Sequence, residues 1–315
     1  MLQLIRKILA LSTMKSDKLF DVIIIGGSYA GLSAAMALGR SLRKVLVIDS
    51  GLPCNRQTPH SHNFLTQDGK TPQEISTLAK QQVEQYKTVE FLEGTATGGN
   101  KLEDGFQIET QSGLSFNAKK LIVAAGIKDL MPDIKGFSES WGISVIHCPY
   151  CHGYEFRGKK TGIFANGDKA VHLSGLVHNL TKDLTVFTSG RASLSQEQLQ
   201  RLAKANVSLV EREIVEIIHS NGHLSGLILD NGEQIQLSAL YAAIPFQQHS
   251  RIPEMLGCEL TETGHIRVDP MQKTSIPGVY ACGDNSSPMR SVSSAVNTGA
   301  IAGAMVNMEL VNEEF

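Results

Sequence analysis

Apolar residues in this chain fall into short runs separated by glycine turns and alanine-rich stretches. Segment 21–50, DVIIIGGSYAGLSAAMALGRSLRKVLVIDS, starts with four consecutive β-branched residues and passes through a glycine turn into an alanine-rich stretch. It closes on a second apolar run that ends in an acid. Uninterrupted apolar strands are typical of parallel sheets with helices on both faces. The pattern therefore predicts strand, helix and parallel strand, a βαβ nucleotide-binding unit.

The same succession of elements recurs further along the chain. Segment 159–190, KKTGIFANGDKAVHLSGLVHNLTKDLTVFTSG, again predicts strand, glycine turn, helix and strand. Residues 205–245 predict short strands and a hairpin at HSNGHLSG. The tail predicts a strand at GVYACGD and a long helix of small residues, from about 292 to 310, that packs back on the first unit. The predicted fold class is α/β, with two Rossmann-like three-layer domains.

Two turn-rich or apolar crossings define the predicted domain boundaries. KDLMPDIKG suggests a hinge near residue 130, and the run LYAAIPF ends near residue 246. We predict an N-terminal extension of residues 1–18, a first domain formed by 19–129 and 246–315, and a second domain of 130–245 inserted into it. The extension has too short an apolar core and no small-residue cleavage site for a signal peptide. Met14 is an alternative start.

Composition and charge narrow the classes of partner. Hydrophobic residues make up 42% of the 315 residues and charged residues 19%, as in an ordinary globular protein. The formal net charge of -2 and the scattered basic residues give no field suited to nucleic acid. No apolar run approaches the ~20 residues of a membrane span. We therefore expect neither nucleic acid nor a membrane as a partner.

Two of the five cysteines stand at a meaningful spacing. Cys148 and Cys151 lie in HCPYCHGYE, whereas Cys54, Cys258 and Cys282 are isolated. A two-residue spacer lets two sulfurs form an accessible, exchangeable disulfide. Covalent haem would need export features that the chain lacks, and zinc would need a second ligand pair, so no metal is predicted. One transient disulfide suits a reducing cytoplasm.

The first glycine turn carries most of a dinucleotide-binding pattern. Gly26 and Gly31 take the outer positions, Gly27 lies between them, and Ser28 replaces one glycine of the usual three. The first glycine makes the turn, the last lets helix and strand approach, and the helix N-terminus binds pyrophosphate. Asp49 ends the second strand, near the ~20-residue spacing at which an acid meets an adenosine ribose. An ordinary βαβ turn without ligand is the alternative.

In order, the motifs GGSYAG, VAAG, CPYC and GVYACGD resemble those of the low-molecular-weight thioredoxin reductases, from about residue 18 onward. The resemblance implies a homodimer whose FAD domain is interrupted by a pyridine-nucleotide-type domain carrying the redox-active cysteines. It implies that Cys151 faces the flavin, that Cys148 forms the mixed disulfide with substrate, and that loop 62–69 lies beside the isoalloxazine ring. It assigns Gly26, Gly31, Asp49, Ala125, Gly126, Gly283 and Asp284 to FAD, and Gly27, Ser28 and Ala30 of the same turn complete the predicted cofactor-binding residues.

One departure from the family lies beside the cysteines. Thioredoxin reductases place an acid directly after the second cysteine, but His152 stands here. A histidine can take up and return a proton near neutral pH, so we predict that His152 is catalytic together with Cys148 and Cys151. For His147, an active role and a merely flanking one are equally supported.

A second departure concerns the nicotinamide cofactor. The turn ANGDKA places Ala165 where the first glycine belongs and Asp168 near the expected pyrophosphate, while keeping Gly167. The following strand leads to a single Arg191 instead of the arginines that meet a 2′-phosphate. The second domain therefore either binds NADPH or keeps the fold without that ligand.

Three functions follow from these observations. The first is a thioredoxin reductase-like FAD enzyme acting on a thioredoxin-like protein or on a small-molecule dithiol or disulfide. The run CPYCHGYE also resembles oxygen-dependent dithiol oxidases of small-molecule natural products, which is the second. The third is a non-catalytic flavin redox sensor.

Overall fold

The computed structural model describes residues 19–315, so the predicted extension 1–18 and the alternative start at Met14 lie outside the described residues. In chain order the strands are β1 (Leu19–Ile25), β2 (Val45–Asp49), β3 (Val89–Glu93), β4 (Ala96–Leu102), β5 (Gly105–Thr110), β6 (Ser115–Val123), β7 (Ile127–Asp129), β8 (Val145–Ile146), β9 (Thr161–Phe164), β10 (Leu184–Phe187), β11 (Ser208–Val210), β12 (Ile214–Ser220), β13 (His223–Leu229), β14 (Gln234–Gln236), β15 (Ala239–Ala242), β16 (Phe246–Gln248) and β17 (Val279–Ala281). The helices are α1 (Tyr29–Arg40), α2 (Pro72–Val83), α3 (Phe137–Ser140), α4 (Pro149–His152), α5 (Gly167–Val177), α6 (Gln196–Lys204), α7 (Ile252–Met255) and α8 (Val292–Glu314), and Tyr154–Phe156 form a 3-10 helix.

The described chain divides into two units. The first comprises the residues up to Cys54, Gln73–Lys128 and Gln247–Phe315, and the second comprises Asn55–Pro72 and Asp129–Phe246. Segment 55–72 thus groups with the second unit, which differs from the predicted first domain 19–129. The connecting strands β7 and β16 pair with each other.

The sheet of the first unit has the order β3-β2-β1-β6-β5-β4, with β17 also paired to β6. Strand β1 is parallel to β2 and to β6, so Ile24 lies opposite Val47 on one side and Ile122 on the other. Strands β4, β5 and β6 pair antiparallel. The β-branched residues of β1 are almost fully buried, as expected for a strand covered on both faces. The predicted βαβ unit is confirmed.

Helix α8 packs on α1 through small residues, as predicted for the tail. A Cβ built on Gly303 would lie 2.6 Å from the carbonyl oxygen of Ala34. The Ser33 hydroxyl donates to the carbonyl oxygen of Val296 at 2.7 Å. This close approach requires glycine, because a larger side chain would collide with the facing backbone.

Ion pairs fasten the C-terminal end of α8 to the sheet. Lys120 of β6 is buried, and its ammonium group donates to Glu309 at 2.8 Å and to Glu313 at 2.5 Å. Glu309 also accepts hydrogen bonds from the Tyr280 hydroxyl at 2.5 Å and from Lys273 at 2.9 Å. A buried lysine is tolerated when its charge is paired and hydrogen-bonded in this way.

The second unit has a parallel sheet in the order β11-β10-β9-β15-β8 and an antiparallel sheet of β12, β13 and β14. Helix α5 connects β9 to the parallel strand β10, which confirms the second predicted βαβ succession. The predicted hairpin joins β12 to β13 through Asn221 and Gly222, which both have positive φ. Asn-Gly favours such turns because both residues tolerate that backbone region. Within residues 19–315, no helix is long and apolar enough to cross a membrane.

Candidate active site

The turn between β1 and α1 needs glycine at two positions. Gly26 has a φ of +103°, and a Cβ built there would overlap the carbonyl oxygen of Ala124 and lie 3.0 Å from the backbone nitrogen of Ala125. A Cβ on Gly31 would overlap the carbonyl oxygen of Gly26. The turn, the first helical turn and the end of β6 are therefore packed backbone to backbone.

Asp49, at the end of β2, lies against this turn. Its Oδ1 accepts a hydrogen bond from the backbone N–H of Gly27 at 2.9 Å. A Cβ on Gly27 would lie 2.8 Å from the Cβ of Asp49, so the close approach depends on glycine. Within residues 19–315, Oδ2 of Asp49 accepts no hydrogen bond. One carboxylate oxygen therefore fixes the turn and the other can accept from a ligand hydroxyl.

The N-terminus of α1 is not capped by the side chain of its N-cap residue. Ser28 has extended backbone angles, its side chain makes no capping hydrogen bond, and the first turn of the helix has no acidic residue. Backbone N–H groups at such a helix end attract an anion. This end of α1 can therefore receive a phosphate.

Two further glycines complete the rim of this site. Gly126 follows β6 with a φ of +68°. Gly283 follows β17 with a φ of +83°, and a Cβ built on it would lie 3.0 Å from the Cβ of Ala30. The next residue, Asp284, is paired with Arg290 at 3.7 Å. The structure thus brings together in the first unit all ten residues that the sequence assigned to cofactor binding.

The cysteine pair lies at the start of α4 in the second unit. Cys148 and Cys151 form a disulfide with a Cα–Cα distance of 5.3 Å. Cys148 is the N-cap of the helix, and its Sγ accepts a hydrogen bond from the backbone N–H of Cys151 at 3.2 Å. A thiolate at a helix N-terminus is stabilised by these N–H groups. The arrangement favours ionisation of Cys148 once the disulfide is reduced.

His152 is the last residue of α4. Burial lowers the pKa of its imidazole; Glu155 opposes this effect and His62 adds to it. A histidine with a lowered pKa is neutral at neutral pH and can accept a proton. His152 is thus suited to receive the proton of a thiol.

The carboxylate that raises the pKa of His152 comes from Glu155, in the 3-10 helix that follows α4. Glu155 Oε1 lies 3.6 Å from Nε2 of His62, and Nδ1 of His62 lies 3.5 Å from Oδ2 of Asp68. Glu155 and Asp68 were not singled out by sequence reasoning. The available signal was that the acid missing from the position of His152 recurs three residues later, about one helical turn away.

His147 stands on the other side of the motif. Its ring stacks on the indole of Trp141, with centroids 6.0 Å apart and planes 30° apart. Trp141 is itself buried and stacks on Phe137. This contact gives His147 a packing role beside the cysteines.

The remaining cysteines are separate from this pair. Cys54 is exposed, and Cys258 and Cys282 are buried. Burial raises the pKa of Cys258, only partly offset by a hydrogen bond to Thr274, and raises the pKa of Cys282 to about 12. Such thiols are poor nucleophiles. Among residues 19–315, His, Cys, Asp and Glu side chains form no cluster of three able to hold a metal.

The turn between β9 and α5 is closed by its own side chains. Oδ1 of Asn166 accepts from the N–H groups of Gly167 and Ser193, both at 2.8 Å, and its Nδ2 donates to the carbonyl oxygen of Arg191 at 3.0 Å. Asp168, in the first turn of α5, accepts from the Gln198 amide at 2.6 Å. An amide side chain and a carboxylate thus lie where a dinucleotide pyrophosphate would need free N–H groups.

Residues 20–299 match the pyridine nucleotide-disulphide oxidoreductase family. The chain belongs to this family. Thioredoxin reductase tcpT of Claviceps purpurea is 33% identical over 309 residues, covering 95% of this chain and 96% of that protein. The oxidoreductase from Agrobacterium tumefaciens is 39% identical with a TM-score of 0.87, covering 93% of this chain and 99% of that one. The putative thioredoxin reductase TrxB from Bacillus anthracis is 29% identical with a TM-score of 0.89, covering 94% and 100%.

These matches confirm three predictions made from the sequence. The protein is a thioredoxin reductase-like, FAD-dependent oxidoreductase, and its fold is the two-domain α/β fold of this family. The first unit fits FAD, because glycines leave room at the turn, the N-terminus of α1 lacks a side-chain cap, and Asp49 keeps a carboxylate oxygen for a hydroxyl.

The second unit of this oxidoreductase does not fit a nicotinamide dinucleotide in the same way. Asn166 already uses the N–H of Gly167, and Asp168 adds a negative charge at the helix start. A pyrophosphate there would face the carboxylate of Asp168 in the first turn of α5. The second unit keeps a nucleotide-binding type of fold, but the turn between β9 and α5 does not keep the anion-binding features.

Proposed function

We propose that this enzyme catalyses thiol–disulfide exchange at Cys148 and Cys151 and passes electrons between that pair and FAD. The observation that carries the proposal is the disulfide at the N-terminus of α4, directly followed by His152, a histidine with a lowered pKa. Exchange requires an accessible disulfide and a base that can remove a thiol proton. Cys148 and Cys151 are only half-buried, which leaves the sulfurs within reach of a substrate.

In the oxidising direction, His152 accepts the proton of a substrate thiol, and the resulting thiolate attacks Sγ of Cys148. A bond forms between the substrate sulfur and Cys148, the Cys148–Cys151 bond breaks, and Cys151 leaves as a thiolate. A second substrate thiolate then attacks the substrate sulfur of the mixed disulfide, which releases a substrate disulfide and the Cys148 thiolate. The reductive direction is the reverse. When bound, FAD supplies the two-electron donor or acceptor for this couple.

We further propose that FAD is held by the glycine turn and its surroundings. The residues are Gly26, Gly27, Ser28, Ala30, Gly31, Asp49, Ala125, Gly126, Gly283 and Asp284. Their support is the close packing around the turn and the carboxylate oxygen of Asp49 that this chain leaves for a ligand.

Single-cysteine variants test the roles of the two sulfurs. In Cys151→Ser, a small disulfide such as cystamine should form a stable mixed disulfide on Cys148, because the resolving thiol is gone. In Cys148→Ser, adduct formation on Cys151 should be much slower. Peptide mapping by mass spectrometry separates these adducts from any on the exposed Cys54. Equal labelling of the two variants would contradict the assignment of Cys148 as the exchanging sulfur.

A second candidate function is oxygen-dependent oxidation of a dithiol. It is favoured by the closed turn at Asn166 and by Asp168, which do not suit NADPH as the electron donor. In that reaction the dithiol loses two electrons and two protons, and molecular oxygen gains them to form hydrogen peroxide.

An anaerobic titration of the FAD-loaded enzyme distinguishes the two directions. NADPH should bleach the long-wavelength flavin absorbance of a reductase, whereas only a small dithiol such as dithiothreitol should bleach that of a dithiol oxidase. Admission of air should then restore the absorbance and produce hydrogen peroxide. In Cys148→Ser, the dithiol should not bleach the flavin absorbance. If it does, the proposed exchange reaction is wrong. Turnover in either direction excludes the redox-sensor alternative.

On the family resemblance we propose a homodimer in the cytoplasm, with a thioredoxin-like protein or a small-molecule dithiol or disulfide as substrate. Sedimentation equilibrium of the FAD-loaded enzyme measures its mass directly. Turnover rates measured with thioredoxin and, separately, with dithiothreitol, each in its oxidised or reduced form, distinguish a protein substrate from a small-molecule substrate.

A further inference from the structure

His62 lies between two carboxylates that come from different parts of the second unit. Its Nδ1 faces Asp68 on the same loop at 3.5 Å, and its Nε2 faces Glu155, beyond the cysteine motif, at 3.6 Å. The imidazole is mostly covered, with 23% of its side chain exposed. Nothing in the exchange reaction described above uses this residue, although it stands next to the acid that faces His152.

The loop around His62 is built by hydrogen bonds that close it on itself. Ser61 N–H donates to the carbonyl oxygen of Lys70 at 2.7 Å, and Gly69 N–H donates to that of Ser61 at 2.9 Å. Asn63, with a φ of +60°, donates its N–H to Oδ1 of Asp68 at 2.7 Å. This hydrogen bond and the one from His62 lower the pKa of Asp68 and keep it ionised. Asp68 therefore both closes the loop through Asn63 and fixes the imidazole of His62 at Nδ1, the nitrogen that does not face Glu155.

Glu155 is the carboxylate that can respond to a charge on His152. Besides burial, two groups shift the pKa of His152: Glu155, from the 3-10 helix, raises it, and His62, from the loop, lowers it. Strand β15 contributes the phenol of Tyr241, whose pKa is raised by burial and also by Glu155. When His152 accepts a proton, a nearby carboxylate stabilises the imidazolium, provided that its position is fixed. The contact with His62 supplies that fixing.

We propose that His62 is a positioning residue for the acid–base step: Asp68 holds its imidazole, the imidazole orients Glu155, and Glu155 governs proton exchange at His152. Glu155 thereby takes the part of the acid that thioredoxin reductases place directly after the second cysteine. The inference rests on the proposed function, in which His152 accepts and returns the thiol proton.

The test compares variants of the full-length, FAD-loaded enzyme. His62→Gln releases Glu155 from its fixed position, so the His152 titration midpoint, followed by NMR of isotope-labelled histidine, should move to lower pH. Glu155→Gln removes an anion, so the midpoint should move to lower pH. Anaerobic reduction by dithiothreitol at neutral pH should slow about tenfold in His62→Gln, part of the 10²–10⁴-fold that acid–base catalysis supplies. The acid limb of its pH profile should move to lower pH.

His60→Gln is the matched control. His60 lies on the same loop, with its ring centroid 6.4 Å from that of His62, and its Nδ1 bonds the carbonyl oxygen of Gly69 at 2.9 Å. The substitution weakens loop closure without touching Glu155, so it should leave the His152 midpoint and the pH profile unchanged. Equal behaviour of His60→Gln and His62→Gln would overturn the inference.

Asp68→Asn covers the case in which His62→Gln folds poorly. It keeps the imidazole and Glu155 but removes the charge behind His62, and it should slow dithiol reduction and move the acid limb of the pH profile. An Asp68→Asn enzyme with the wild-type rate and profile would overturn the inference. Failure of the underlying function looks different, because the wild-type enzyme itself would then not be reduced through Cys148.

Discussion

Gly299 of α8 lies directly against the backbone of Ala30 in α1. A Cβ built on Gly299 would overlap the carbonyl oxygen of Ala30, in the first turn of the helix that we propose binds the FAD phosphates. The last long helix of the chain thus supports the cofactor turn from behind.

Gly299→Ala should therefore destabilise the protein, although alanine normally favours a helix over glycine. Overpacking costs about 1–3 kcal/mol, more than the ~0.5–1 kcal/mol gained in helix propensity. We expect a lower Tm and weaker FAD retention, measured by thermal unfolding and flavin release. Gly175→Ala in α5 is the control, because the nearest atom to its added Cβ is 4.0 Å away. If both variants gained stability, the proposed close packing would be wrong.

Asp49→Ala should weaken FAD binding. It removes both the oxygen that fixes Gly27 and the oxygen that this chain leaves for a ribose hydroxyl. Hydrogen bonds to a charged group contribute ~1.5–3 kcal/mol, so we expect roughly a 10–100-fold rise in Kd, measured by flavin titration of the apoprotein. Asp21→Asn serves as the comparison, since Asp21 also accepts from a backbone N–H, that of Lys44 at 2.9 Å, but at the other end of β1. Unchanged affinity in Asp49→Ala would remove Asp49 from the FAD site.

Glu309 should make stability depend on pH in the acid range. Burial opposes its ionisation, but hydrogen bonds from Lys120, Tyr280 and Lys273 outweigh burial and lower its pKa to about 2. A lowered folded-state pKa stabilises the protein above the unfolded value, near 4.5, and that contribution is lost as pH falls towards 2. The free energy of unfolding, measured with urea at several pH values in this range, should rise with pH. The rise should be smaller in Glu309→Gln.

Glu309→Gln should also lower the free energy of unfolding at neutral pH by about 2 kcal/mol, because Lys120 loses one of two charged partners. Glu313→Gln is the matched variant. Glu313 contacts the same ammonium group but its side chain is 50% exposed, so its loss should cost less than about 1 kcal/mol. A larger decrease in the free energy of unfolding for Glu313→Gln than for Glu309→Gln would contradict the inference that Glu309 is the more important partner of Lys120.

Asn166→Ala should loosen the turn that closes the second unit. It removes the N-cap of α5 and the acceptor for Ser193 N–H, at a cost of about 1 kcal/mol for the cap. Hydrogen exchange of the Ser193 amide should become faster. Ser195→Ala removes a comparable cap from α6 without touching Asn166, and it should leave Ser193 exchange unchanged. Equal exchange in both variants would show that Asn166 does not hold this loop.

Much of the fold could be predicted because its signals are local. The apolar run that ends at Ile25, the glycine at position 26 and the acid at position 49 follow one another in a short stretch, so a single βαβ unit contains its own evidence. The hairpin at Asn221 and Gly222 was predictable for the same reason, because both turn residues are neighbours in the chain.

The contacts around the redox site could not be predicted in this way. His62 and Glu155 meet although they lie far apart in the sequence, and neither segment contains a pattern that names its partner. The grouping of segment 55–72 with the second unit likewise depends on tertiary contacts such as that of Gln57 with the carbonyl oxygen of Ser138. The four hydrogen bonds of the Asn166 side chain also depend on the tertiary fold, because three of them reach residues 22 to 27 positions further along the chain.

The pairing of β17 with β6 has a consequence for synthesis on the ribosome. A nascent chain that has emerged as far as Phe246 already contains every strand of the second unit's sheets, whereas β6 still lacks β17, and α1 still lacks α8. Domains fold as units once their residues are available. The second unit is therefore expected to fold first. Until β17 and α8 are synthesised, the N-terminal part of the first unit keeps apolar surface exposed. Chaperones would matter most at this stage.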